Sequence, residues 1–169
     1  MSADARRRWQ TVTRACAIPI PRDQLHPRGG EWLVAAWRPQ GDTAPRILLS
    51  APSTAFLVSP RHVLTAAHAL PPDRDPDVAY AFGYTADAFR GGHGDLPPHF
   101  VLPAESVFRV RAVNRRVLGV RTGDYAVIEL DSDVPPHVAQ PLPFAPREPW
   151  LGESVALAGH ADGQPGAIR

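Results

Sequence analysis

Lysine is missing from the 169 residues: all eighteen basic side chains are arginine, set against seventeen Asp and Glu. The net charge of +1 gives no long-range field of either sign, so neither nucleic acid nor an anionic membrane is an expected partner. Cysteine is almost missing too. The lone Cys16 excludes an internal disulfide and any Cys-based zinc cluster, and reads as a small, partly buried side chain. No stretch approaches the ~20 apolar residues of a membrane span. The basic run Arg6, Arg7 and Arg8 is followed by nothing more apolar than Ala15-Cys16-Ala17-Ile18, short of the roughly 7–15 residues of a secretory signal. The chain as written is therefore expected in the cytoplasm. Absent lysine beside abundant Ala, Pro and Gly points to a GC-rich coding sequence of bacterial type.

What is present is proline, at 20 residues, spread between short apolar runs. That pattern predicts many short strands joined by turns, an all-β chain. The runs are Trp32–Trp37, Ile47–Leu49, Thr54–Val58, Val63–Thr65, Val78–Phe82, Val107–Val113, Tyr125–Leu130 and Val155–Ala158. In one, Phe108, Val110 and Ala112 interleave with Arg109 and Arg111, predicting an apolar and a charged face. Ala126, Ile128 and Leu130 alternate likewise against Tyr125, Val127 and Glu129. Pro71–Pro76 and Asp87–Pro103, rich in Pro, Gly, Asp and His, read as surface loops. Residues 1–30 read as a polar, loosely held lead-in.

Two segments carry chemistry. Thr54 to His68 runs as a strand, a Ser59-Pro60 turn, a second strand, and then Thr65-Ala66-Ala67-His68. Small Ala66 and Ala67 allow a tight turn that leaves the imidazole at the strand end, where a group that takes and returns a proton near neutral pH is best a histidine. Fifty-six residues on, Gly123-Asp124-Tyr125-Ala126-Val127-Ile128-Glu129-Leu130 opens an alternating strand on an aspartate. Together these segments resemble the trypsin/chymotrypsin-like serine proteases. The resemblance implies a chymotrypsin-like antiparallel β-barrel, with His68 as catalytic base and Asp124 as the carboxylate that orients it. Gly152 to His160 is similar to the strand that opens the second barrel of that family, so the first barrel is expected complete and the second only begun.

The expected organisation is a lead-in at 1–30, a first barrel at 31–134 carrying His68 and Asp124, a Pro-rich crossing at 135–150, and the start of a second barrel at 151–169. The family's Gly-Asp-Ser-Gly-Gly string is absent. Ser154 does not replace it, because a Gly-x-Ser-x-Gly elbow needs glycine where Ala156 stands. Since the nucleophile drives covalent catalysis, these 169 residues alone are expected to be inactive. The expected function is that of a serine endopeptidase acting on a peptide or protein, with another chain or segment supplying the second barrel. The alternative is a non-catalytic binding or regulatory module on the same fold. No cofactor is expected. His62 and His68 lie in different local structures and the loop pair His93 and His99 lacks acidic or helical support, so no metal site is expected either. An unpaired apolar edge at Val155–Ala158 is expected to favour association.

Overall fold

The computed structural model describes residues 3–38, 44–49, 53–72, 76–119, 121, 123–160, 163–165 and 167–168. Helix α1 (Ala3–Ala15) leads into β1 (Cys16–Pro21), β2 (His26–Arg28), β3 (Glu31–Ala35), β4 (Ala55–Ser59) and β5 (His62–Thr65). After these come β6 (Val78–Phe82), β7 (Phe89–Arg90), β8 (His99–Pro103), β9 (Val107–Gly119), β10 (Gly123–Leu130), β11 (Ala158–Gly159) and β12 (Ala167–Ile168). Six strands close a barrel in the order β1-β4-β5-β10-β9-β6, every neighbouring pair antiparallel. A second sheet, β2-β3-β8-β7, lies against the barrel, and β11 pairs with β12. The all-β expectation holds.

The lead-in expected over residues 1–30 is not what forms. Arginine and alanine are good helix formers and build α1, while β1 becomes a barrel strand that pairs β4 at Cys16–Phe56 and β6 from Ala17–Phe82 to Pro21–Val78. The sequence looked polar because α1 is; β1 is the reverse. Its two faces are both covered. Ala17 points into the barrel with Leu57, Phe82, Phe108 and Ile128, whereas Ile18 and Ile20 pack outward against Val34, Phe100 and Leu102 of the second sheet. Strand β6 is sandwiched in the same way, with Tyr80 and Phe82 inward and the small Ala79 and Ala81 outward. A strand buried on both faces shows no polar alternation, which is why β1 does not announce itself. Each fully buried Ile, Leu or Phe here contributes about 1.5–3 kcal/mol of transfer free energy.

The loop expected over Asp87–Pro103 holds β7 and β8 instead. Phe100 and Leu102 alternate with Val101, and β8 pairs β3 from Glu31–Pro103 to Ala35–His99. The expected run Trp32–Trp37 is β3 up to Ala35, and it belongs to this sheet, not to the barrel. Of the expected Pro71–Pro76 loop, residues 73–75 lie outside the described residues.

Strand β9 also runs past its expected end at Val113, to Gly119. Against β10 its register slips twice, leaving Arg111 and Asn114 as extra residues. Such bulges re-aim side chains. Val113, not Ala112, consequently packs on the barrel core together with Val110, and after the second slip Arg116 stands opposite Ala126.

Beyond β10, the Pro-rich stretch follows the barrel wall, with Val134 N–H donating to Pro60 O at 2.7 Å and Leu142 N–H to Leu57 O at 2.8 Å. Of the expected strand Val155–Ala158 only Ala158 lies in a strand, the two-residue β11, with Val155 and Leu157 largely exposed. The segment that follows docks on the barrel. His160 N–H donates to Thr54 Oγ1 at 2.8 Å, and Gly163 O accepts from Ile47 N–H at 3.0 Å and from the Tyr84 hydroxyl at 2.8 Å. Gly163 sits at φ +72°, where a Cβ would come within 2.2 Å of Ile47 O, so only glycine fits. The expected strand Ile47–Leu49 is likewise absent; Ile47 is buried by this docking.

Candidate active site

The β4–β5 hairpin delivers the chain to the barrel end. Ala67 is fully buried there, and a 3-10 turn over Ala67–Ala69 follows β5, closed by Ala69 N–H to Ala66 O at 3.3 Å and Leu70 N–H to Ala67 O at 3.2 Å. His68 occupies the middle of that turn, its side chain 67% exposed. Asp124 arrives from the neighbouring strand. The register Ala126–Thr65 between β10 and β5 carries the start of β10 alongside the turn. Gly123, at φ +99°, makes the sharp entry that lets the next residue face it.

The 56-residue separation collapses to direct contact. Asp124 Oδ2 is hydrogen-bonded to His68 Nδ1, and Asp124 Oδ1 accepts the main-chain N–H of His68 at 3.0 Å. The bonds from the His68 ring and main chain hold the Asp124 carboxyl below the usual carboxylate range. A carboxylate on Nδ1 leaves Nε2 as the ring nitrogen able to accept a proton from another group. Next to His68 lies a cleft of about 420 Å³, lined by Pro19, Pro21, Leu70, Pro71, Val78 and Tyr80 among others.

A family model for the trypsin-like peptidase domain matches residues 53–169, well over half of the chain. The chain belongs to the trypsin-like peptidase family. Comparison with curated proteins found no match, and comparison with solved structures found none either. The barrel is the chymotrypsin-like fold represented by one barrel.

Other candidates in this peptidase domain are placed elsewhere. His62 Nδ1 meets Ser59 Oγ at 2.7 Å and its Nε2 meets Asn114 Nδ2 at 3.2 Å, so it is engaged apart from His68. His99 Nδ1 faces Pro97 O at 2.8 Å. Among the described residues no group of three or more His, Cys, Asp or Glu is arranged to hold a metal. Cys16 is buried and its thiol is pushed up by that burial, against a reactive role. Ser154 is exposed, and among the described residues no serine hydroxyl is hydrogen-bonded to His68. No helix among them is long and apolar enough to cross a membrane.

Sequence reading missed Arg116. Its guanidinium reaches the His68 turn and donates to four main-chain carbonyls there. An arginine that continues an alternating strand toward the aspartate of interest was the available signal; the expected end of the strand at Val113 hid it.

Proposed function

We propose that this domain supplies the base and its orienting carboxylate to a serine endopeptidase. The observation that carries the reading is the double hydrogen bond from His68, ring and main chain, to the Asp124 carboxylate. In this reading a serine Oγ from outside these 169 residues attacks the peptide carbonyl carbon while His68 Nε2 takes its proton. The C–N bond then breaks as His68 returns that proton to the leaving amine, and water completes the cycle through the acyl-enzyme. Asp124 keeps Nδ1 protonated and stabilises the imidazolium without itself accepting the proton. The substrate is a peptide or protein lying along the cleft beside His68, and the second barrel, from the same or another chain, brings serine and oxyanion donors. No nucleic acid, membrane, metal or cofactor enters the reading.

The absence of a Gly-Asp-Ser-Gly string favours a second reading, a binding or regulatory barrel without hydrolysis. A fluorophosphonate probe separates the two. The 169-residue protein should stay unlabelled, whereas protein expressed from the intact gene should be labelled, with labelling lost in His68→Ala. If the intact gene product, recovered from its own cells together with any chain it recruits, resists the probe and cleaves no casein, the binding reading takes its place.

A further inference from the structure

We propose that Arg116 is a positioning residue for the His68–Asp124 pair, gripping the turn that carries His68 by its carbonyl oxygens; this rests on the reading of that pair given above. The donors of Arg116 are allocated unusually. Arg116 is half-buried, and among the described residues its guanidinium has no carboxylate partner. Among the described residues, all its hydrogen bonds go to main-chain carbonyls. Nη1 donates to Pro71 O at 2.5 Å and Pro72 O at 3.2 Å, and Nη2 donates to Ala67 O at 3.3 Å and Leu70 O at 2.9 Å. One of these oxygens immediately precedes His68 and three follow it.

The turn needs such a partner. It is a single 3-10 turn, and Pro71 and Pro72 lack the N–H groups that would continue it. Its last carbonyls are left without helical donors, and at Leu70, which is buried, an unpaired oxygen is costly. A guanidinium, planar with five N–H donors, can serve four oxygens at once; an ammonium, a compact point charge on a flexible stem, cannot hold the same spread.

Arg116 and Asp124 also act from one platform. Arg116 stands opposite Ala126, and Asp124 stands opposite Leu118, so both belong to one face of the β9–β10 hairpin. From that face the hairpin donates to the carbonyls of the turn through Arg116 and accepts its N–H at His68 through Asp124. The turn is held from both polarities of its backbone. Among the described residues, loss of Arg116 leaves Asp124 as the only polar tie to the turn from that hairpin, and the imidazole free to rock about it.

The test uses proton NMR on the 169-residue protein. The Nδ1–H of His68, bonded to Asp124, should give a resonance far downfield, and the His68, Ala69 and Leu70 amides should be protected from exchange. Arg116→Ala should broaden or abolish the downfield resonance and speed exchange of those three amides by about tenfold or more, with the barrel amides of β4 and β10 unaffected. Arg116→Lys, which keeps the charge but not the fork, should fall between the two. Unchanged resonance and exchange in both variants, even with a lowered Tm, would overturn the proposal; should Arg116→Ala fail to fold, Arg116→Lys decides by the same readout. Asp124→Asn separates this from failure of the underlying reading. If that variant leaves the downfield resonance in place, the dyad is wrong, while the Ala69 and Leu70 amides still report on Arg116.

Discussion

One carboxylate holds both the ring and the backbone of His68: Asp124 Oδ2 bonds Nδ1 and Oδ1 accepts the His68 N–H at 3.0 Å. A bond to the ring alone would set the tautomer. The second bond also sets where the ring stands, so the residue that orients the imidazole builds part of its turn.

Acid should weaken this pair in a defined window. The Asp124 carboxyl is held below its ordinary value by the bonds from His68. A carboxyl depressed in the folded state contributes stability that is full above its unfolded value, near pH 4, and lost as pH falls through the folded value. Urea denaturation of the native chain from pH 6 down to about pH 2 should show that loss, and Asp124→Asn should be flatter over the same range. Parallel curves for the two proteins would contradict the bond geometry.

Strand β1 should be indispensable. Ile18 is fully buried between barrel and second sheet, so Ile18→Ala is expected to cost about 2–5 kcal/mol. Val155→Ala, at an exposed position, should change stability by less than about 0.5 kcal/mol. Equal effects in denaturant titrations would mean that residues 16–21 are not part of the core.

The docked segment after β11 should come loose on mild acidification. His160 is 2% exposed, its Nδ1 faces Gln164 O at 3.3 Å, and its ring lies 5.5 Å from that of Tyr84. Burial pushes its imidazole below the ordinary histidine value. The stability that comes from keeping it neutral is full above about pH 6.5 and is lost as pH falls through the lower folded value. Hydrogen exchange at the Ile47 and His160 amides should accelerate as pH drops below about 6.5, beyond the intrinsic trend, and His160→Phe should remove the excess. The barrel amides should not follow.

The stretch from Trp150 to Leu157 should drive self-association. Trp150, Leu151, Val155 and Leu157 are all largely exposed, Leu151 completely. Large apolar side chains left exposed at close intervals along a segment seek cover. Sedimentation velocity should show concentration-dependent association that the double substitution Leu151→Glu and Leu157→Glu reduces. A native chain that stays monomeric across the tested range would remove the case for a partner here.

Much of the site was legible in the chain itself. Thr65-Ala66-Ala67-His68 sits at the end of a strand, and Asp124 opens an alternating one, because local period and turn chemistry are written in neighbouring residues. The same local logic carried the all-β class. What it could not carry was pairing. Strand β1 was hidden because both of its faces are buried, and its two prolines argued against a strand. Strand β8 was hidden by the Pro97-Pro98 signal just before it. Arg116 looks like any surface arginine until two bulges in β9 bring it to the turn of His68. The sequence by itself determined which residues could do proton chemistry and that short strands would frame them. Only the tertiary structure decided which strands close the barrel and which side chains hold the His68 turn, since those contacts join residues tens of positions apart and depend on register, which no local pattern encodes.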